Sequence, residues 1–576
     1  MSEPFKHRTN SRWLLTGAFL LSLPWLTPNH QIPWVAFHSD ALAAVIWAII
    51  SAVIIFKLKP EIQLCQITLT ILGIFIVICL QYAVGIIYFS GSALLCALYV
   101  CGFYLVYVVA RQAEAVWPGT LLDLVFMAIA FAALISVGLQ LTQWLDLVPD
   151  GLTDIWVMNL PPHRPSGNLG QPNQLASLHI WGLIAILWAH HRKKLGLIVL
   201  FLAMSWLGLG LVMAQSRSSL VALILLGLIM VSNRRLWQHH DAVTIVLIVC
   251  SLLTVTFYTL PLVGEALLFT RPVDIGGRAE GDVRFSAWKM FIDASLTSPW
   301  LGFGWNQVLP AQLAVILEHP KAVGRSFAHT HNIFLDLIIW IGWPLGLLLT
   351  GSIVCWLLKS FRQVHSLKSL LIVLPVVTIG VHAMFELPLH YAYFLLPTAF
   401  FIGTATANRS SHSNTSTNPR SGARHSILAV WLCSCVLLAV VIVDYFKVEE
   451  EFYLLRFEGA RIGNLTIGKT PKVILLNQLS ELVRFARFEA KAGMTANQIY
   501  DAEKITSIYP SLSNLFKVAQ IKVLNDNPQG AELYLRKACA LLGEKGCAQT
   551  KSSWAGFRRD NQNRDIIEWP QSVLGN

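Results

Sequence analysis

Along most of the chain apolar residues run in unbroken stretches separated by short polar breaks, without the alternation of a half-buried strand. Stretches of roughly 17–25 apolar residues are long enough to cross about 30 Å of hydrocarbon as helices. The pattern predicts about 13 transmembrane helices, near 13–28, 34–56, 64–83, 91–110, 118–143, 173–190, 195–213, 218–232, 242–260, 331–357, 368–386, 391–407 and 427–446. The first apolar run follows a basic segment, as in a cleaved leader, but "SLPWLTPNH" after it offers no small-x-small site, so it is expected to remain as a span. Two regions leave the membrane, a loop and a tail. The expected organisation is therefore 1–260 with the first nine helices, a large loop at 261–330, further helices at 331–446, and a helical tail at 447–576.

The tail mixes acids and bases with helical apolar spacing. Its stretch "SLSNLFKVAQIKVLNDNPQGAELYLRKACALLG" (511–543) reads as two amphipathic helices joined by a polar turn containing Pro528 and Gly530, similar to one tetratricopeptide-type hairpin. "RSSHSNTSTNPRSGAR" (409–424) reads as a polar linker.

Composition agrees with the pattern. Of 576 residues 55% are hydrophobic and 13% charged, and the mean hydropathy is +0.58. These values exclude an ordinary water-soluble globule. The fold class is all-α and polytopic. Charge then orients it, because short cytoplasmic loops retain lysine and arginine. With the N-terminus inside, the cytoplasmic side receives Lys6, Arg8 and Arg12, Lys57 and Lys59, Arg111, "HHRKK" (190–194), Arg234 and Arg235, "KSFRQVHSLK" (359–368), and Arg409, Arg420 and Arg424. The opposite short loops hold little more than Arg164 and Arg217. The loop and tail fall outside, where there is no cytosolic ATP. The net charge of +11 is mostly retention charge against anionic lipid and gives no reason to expect nucleic acid as a partner.

Of ten cysteines, only Cys539 and Cys547 lie in the external tail. They flank the turn "LLGEKG" (541–546), a spacing that lets the chain fold back, and an oxidising compartment would join them as a disulfide, with a buried reduced pair as the alternative. The others sit in or beside apolar spans as small hydrophobes.

Three places on the outer face concentrate polar groups. "RPSGNLGQPNQLA" (164–176) enters the sixth span, and its Asn168, Gln171, Asn173 and Gln174 supply more amides than one helix cap uses, although a capped start after a turn is the plainer reading. "AQSRSS" (214–219) breaks the positive-inside bias at Arg217. That arginine could simply snorkel, or its planar fork could grip phosphate with Ser216, Ser218 and Ser219 completing a cradle. The third is the long loop, with Arg271, Arg278, Arg284 and Arg325, leading into "SFAHTHNIFLDLIIW" (326–340). There His331 and Asn332 could cap the tenth span and the arginines could face headgroups. No metal is expected: His329 and His331 are two apart, which does not direct both to one ion on a helix, and no Cys/His/carboxylate set with ligand spacing accompanies them.

"HTHNIFLDLIIWIGWPLGLLL" preceded by "VRFSAWKMFIDASLTSPWLGFGWNQ" resembles the domain shared by O-antigen ligases, O-antigen polymerases and bacterial O-linked oligosaccharyltransferases. "GNLGQPNQLA" is similar to the narrower motif of pilin-type protein O-oligosaccharyltransferases, and "NDNPQGAELYLRKACAL" fits that branch. The resemblance implies a multi-pass protein of the bacterial inner membrane with a periplasmic active site. Its donor would be an oligosaccharide on undecaprenyl pyrophosphate and its acceptor a serine or threonine of a type IV pilin or pilin-like protein, with no cofactor. It further implies His331 as general base, with Asn332 and Asp336 orienting or capping it. Arg217 and Arg284 would hold pyrophosphate, with Arg278 and Arg325 on the same positive rim. Gln171, Asn168 and Asn173 would contact sugar or phosphate, and in "FELPLHYAYF" (385–394) Tyr391 rather than Tyr393 would join them. The chemistry is consistent: an activated glycosyl pyrophosphate needs stabilisation of the leaving group's charge and help in deprotonating an alcohol, and an imidazole with its ordinary pKa suits the second task. Two rivals remain. An O-antigen polymerase or lipid A-core ligase differs only in acceptor. A transporter or flippase should concentrate polar groups near the membrane midplane rather than at one face.

Overall fold

The structure, a computed structural model, describes residues 11–60, 65–147, 156–160, 164–237, 241–268, 284–319, 322, 324–410, 421–460, 462, 468–562 and 566–569. Arg271 and Arg278 lie outside the described residues. Among those described, regular structure is helical throughout, and a helix covers each of the expected spans. Seven are long and apolar enough to cross a membrane: Phe37–Leu58, Gln66–Ala83, Ser90–Val116, Thr120–Trp144, Leu197–Ala214, Ile333–Arg362 and His425–Ala460. Arg217–Ser232, Leu367–Ala383 and Ala392–Ala407 are shorter apolar helices. The protein is an all-α polytopic membrane protein.

Two compact units make up the chain. The first comprises residues 1–68, 101–279 and 354–438, the second 69–100, 280–353 and 439–576.

In the first unit, helix Pro172–His191 is apolar on every side and is buried without a break from Gln174 to Trp188. A helix without a polar face belongs in the middle of a bundle, and this one packs against Thr120–Trp144, Leu197–Ala214 and Leu367–Ala383. Its start is set by Pro172 in the first turn, where a missing N–H removes a donor that would have no partner anyway. The amide-rich element therefore opens a helix buried within the bundle of this unit.

The second unit contains a break that the hydropathy pattern hides. Within Ile333–Arg362, Gly342 has φ 79° and ψ 171°, so the span is two helical pieces meeting at a non-helical residue. The segment "SPWLGFGW" (298–305) lies along the break. The Phe303 amide donates to the Ile339 carbonyl (2.7 Å), Gly304 to Trp340 (3.1 Å), and Trp343 to Pro299 (2.8 Å). Gly302 and Gly342 allow this approach, since a Cβ on either would lie 2.5 Å from main-chain atoms of the other strand of the contact. Gln81 closes the junction by donating to the Leu301 and Trp340 carbonyls (2.9 and 2.7 Å) and accepting from the Trp305 amide (2.9 Å). Each of these main-chain groups, left unpaired in a buried setting, would cost about 1–3 kcal/mol. Under the junction, Phe291, Phe327, Ile339 and Trp340 share one core.

The last span differs from expectation in length. Helix Ser421–Ala460 runs 40 residues, well past the expected exit at 446, because "KVEEEFYLLRFEGA" is rich in helix formers and has no proline, its one glycine lying next to the end. The tail then turns back onto it: buried Asp444 accepts from the Ile474, Leu475 and Leu476 amides through one carboxylate oxygen (2.8, 2.6 and 3.3 Å). The hairpin consists of Leu512–Leu524 and Pro528–Asp560. Pro528 and Gly530 lie in the first turn of its second helix rather than in the connection, and Asn527 caps that turn by accepting from the Gly530 amide at 2.8 Å. Cys539 and Cys547 form a disulfide, as their spacing predicted.

Candidate functional site

In the first unit three segments far apart in sequence converge. Glu386, from "FELPLHY", is nearly buried and accepts from Gln171 Nε2 (3.2 Å) and Asn173 Nδ2 (3.0 Å). Arg164 donates to Asn173 Oδ1 (3.3 Å) and to the carbonyls of Ala214 (3.2 Å) and Gln215 (3.5 Å), which begin the "AQSRSS" connection. One carboxylate and one guanidinium thus tie the amide element to both of its neighbours.

Gln171 is the N-cap residue of Pro172–His191, and its side chain is turned to Glu386 instead of capping the helix. An amide whose NH2 is held by a carboxylate presents its oxygen elsewhere as an acceptor for hydroxyl groups. Asn168 behaves otherwise. It is buried, its Nδ2 donates to the Leu26 and Trp156 carbonyls (2.7 and 2.8 Å), and its Oδ1 accepts from the Met158 amide (3.1 Å). With both ends of the amide bonded to main chain, Asn168 fixes the loop.

Arg217 is exposed as the first residue of helix Arg217–Ser232, following the tight Gln215–Ser216 connection. The serine cradle expected around it is revised. Ser216 is the N-cap, accepting from the Ser219 amide (3.3 Å) and bonding to the Ser218 and Ser219 hydroxyls (3.1 and 2.9 Å), while Ser218 and Ser219 are buried. Arg217 thus sets a guanidinium beside the positive end of a helix, and an anion placed there would be attracted by both.

Tyr391 precedes helix Ala392–Ser410, whose first amide donates to buried Asp40 at 2.6 Å. Tyr393 is fully buried and donates to Gln174 Oε1 (2.8 Å), whereas Tyr391 stacks on it at 5.3 Å and is only partly covered. Burial holds nearby His390 neutral, with its pKa pushed down to about 4. At that value it is a poor proton acceptor for an alcohol near neutral pH.

The second unit carries the histidine segment. Asn332 caps helix Ile333–Arg362 by accepting from the Phe334 and Leu335 amides (3.0 and 3.3 Å). Buried Asp336 accepts from the Thr330 amide (2.9 Å), and the Thr330 hydroxyl donates to the Asn332 carbonyl (2.9 Å). Both polar groups thus hold the backbone on either side of His331. That backbone is left-handed, with φ 59° at His331, a conformation that costs a residue with a Cβ about 1–2 kcal/mol. The His331 ring lies edge-on to His329 at 4.0 Å and to Phe327 at 5.9 Å. Arg284 begins helix Arg284–Thr297, half-buried, and Arg325 is exposed, its carbonyl accepting from Gln312 Nε2 at 2.7 Å.

Sequence reasoning missed Arg164 and Glu386. Each carried a signal: Arg164 breaks the positive-inside bias as Arg217 does, and Glu386 is an acid in an otherwise apolar turn between two spans.

Family models match along the chain. The one described as protein glycosylation ligase covers residues 165–190, the amide element itself. The O-antigen ligase model covers 199–350, and the virulence factor membrane-bound polymerase C-terminal model covers 370–555. The chain is 28% identical over 542 residues to a "General O-oligosaccharyltransferase" of Acinetobacter baylyi, spanning 90% of each protein. It is 23% identical over 523 residues to a "ComP-specific O-oligosaccharyltransferase" of the same species, spanning 90% of this chain and 93% of that one. The glycosylation-ligase match falls on the residues gathered by Glu386 and Arg164, the ligase match takes in Arg217 and His331, and the likeness to the transferases runs nearly full length. The chain is therefore similar, along nearly its whole length, to O-oligosaccharyltransferases and, over residues 199–350, to the O-antigen ligase model, and is a multi-pass membrane glycosyltransferase of O-linked glycan.

Proposed function

We propose that the chain moves a preassembled oligosaccharide en bloc from undecaprenyl pyrophosphate to a serine or threonine of a periplasmic, pilin-like protein, at the outer face of a bacterial inner membrane. The observation that carries this reading is the holding of Gln171 and Asn173 by Glu386, and of Asn173 by Arg164, on the element matched by the glycosylation-ligase model. In the reaction the acceptor oxygen bonds to the anomeric carbon, the bond from that carbon to the pyrophosphate oxygen breaks, and the acceptor proton passes to His331. Arg217 and Arg284 neutralise the leaving pyrophosphate, with Arg278 and Arg325 adding positive charge. Gln171, Asn173 and Tyr391 receive sugar hydroxyls. The loop 261–330 covers the glycan, and the helices on either side hold the lipid.

Co-expression with a candidate pilin in a host that makes the lipid-linked donor tests the assignment. Glycan on a pilin serine or threonine is expected. Transfer to lipid A-core alone, with the pilin unmodified, would replace this reading with the lipopolysaccharide ligase.

The orientation, with the N-terminus cytoplasmic and the tail periplasmic, rests on the lysine and arginine asymmetry and is supported by the Cys539–Cys547 disulfide, a bond of oxidising compartments. Intact cells are expected to leave both thiols closed to a maleimide until a reductant is added. Labelling of both without reductant would count against the disulfide and weaken the case for a periplasmic tail.

A further inference from the structure

The second helix of the tail's hairpin is broken. At Gly543 the backbone has φ 69° and ψ −169°, which interrupts Pro528–Asp560. A break of this kind leaves carbonyls without helical partners. One of them, on Ala540, accepts from the Gly324 amide at 2.8 Å. Gly324 itself has φ 85°, and the two glycines abut: a Cβ on Gly543 would lie 3.1 Å from the Gly324 Cα, and one on Gly324 would lie 3.4 Å from the Gly543 Cα. The Cys539–Cys547 disulfide straddles the break, holding the two Cα atoms 4.2 Å apart. Ala540 and Phe327 belong to one hydrophobic core, and Leu313 packs with Leu515, Ala538 and Leu541 of the hairpin.

On the other side of Gly324 the chain leads directly to the histidine. Gln312, fully buried, donates to the Arg325 carbonyl (2.7 Å) and accepts from the Phe327 amide (2.9 Å). Phe327 lies edge-on to both Phe291 and His331, each at 5.9 Å. Between Gly324 and Thr330 the described main chain makes no helix or strand of its own, so these outside partners satisfy its polar groups. The tail is also tied elsewhere in the same unit. Tyr88 donates to Asp501 (2.5 Å), and the Gly91 amide donates to Asn477 Oδ1 (2.9 Å).

We propose that the tail is a brace for the catalytic loop: the broken helix at Gly543, closed by the Cys539–Cys547 disulfide, holds Gly324 and through it the segment that presents His331. Gly324, Gly543 and Gln312 are then positioning residues, and the disulfide makes the brace sensitive to reduction. This rests on the reading of His331 as the base. It separates the tail from a simple acceptor dock, because a dock sets how tightly acceptor binds, whereas a brace sets how fast bound acceptor reacts. Small misplacement of a reacting group costs rate heavily, up to about 100-fold for about 1 Å.

The test uses the full-length enzyme in membranes with lipid-linked donor and purified acceptor. Gly543→Ala and Gln312→Met are each expected to lower kcat about tenfold while leaving the acceptor KM within about twofold. Reducing the disulfide in the parent should lower kcat in the same way, and reoxidation should restore it. A Cys539→Ser, Cys547→Ser double variant should start at the lowered rate and ignore reductant. Should the substituted chains fail to accumulate, the reversible reduction of the parent decides. An unchanged kcat in Gly543→Ala and in the reduced parent, or a loss confined to acceptor KM, would overturn the brace. A fully active His331→Ala variant would overturn the base assignment alone.

Discussion

Replacing His331 is expected to lower glycan transfer by roughly two to four orders of magnitude, the usual contribution of a positioned general base. The choice of substitution matters because of the backbone. His331 holds φ 59°, where alanine is strained and asparagine is comparatively at ease. His331→Asn therefore keeps the local fold and the polar character while removing a group that can accept a proton near pH 7. His331→Ala keeps the left-handed strain without the local hydrogen bonding that eases asparagine there, and is the weaker control. Both variants should insert at the parent's level, since the ring is only partly covered and Asn332 and Asp336 still hold the helix start. Quantifying glycosylated acceptor at matched enzyme levels decides the matter: transfer by His331→Asn at the parent's rate would sink the assignment.

Arg217→Lys and Arg284→Lys are expected to lose roughly tenfold or more each in kcat, although the charge is kept. A guanidinium presents a fixed fork of donors that fits two phosphate oxygens, whereas an ammonium is a strongly hydrated point charge. Both arginines stand at the first residue of a helix, Arg217–Ser232 and Arg284–Thr297, where the helix dipole favours an anion. The dipole survives the substitution, so a measured loss reports the fork. Parent-like rates in both lysine variants, with saturating donor, would mean that neither side chain grips the leaving pyrophosphate.

Most of the fold was legible. Burial in lipid and helix formation are local properties, readable over about 20 residues, so every span expected from the apolar pattern has its helix. The disulfide was legible for the same reason, a matter of eight residues and a turn. Local reasoning failed where a partner lies far along the chain. The apolar run at 331–357 conceals the break at Gly342, because that break is stabilised by main-chain partners at 299–304 and by Gln81.

The candidate site divides along the same line. Residue chemistry singled out Gln171, Asn173, Arg217, Arg284 and His331, and the family resemblance added Tyr391. It could not tell an amide that is available from one already bonded, so Asn168 and Ser216 looked like ligands until their main-chain partners were known. Nor could it find Glu386, whose importance comes from residues more than 200 positions away. By itself the sequence determined the membrane class, the helical spans, the cysteine pair and the kinds of side chain concentrated in the three polar segments, all set by hydropathy and side-chain type. Only the tertiary structure decided which polar groups hold the fold, because hydrogen-bond partners are chosen by proximity in space and not along the chain.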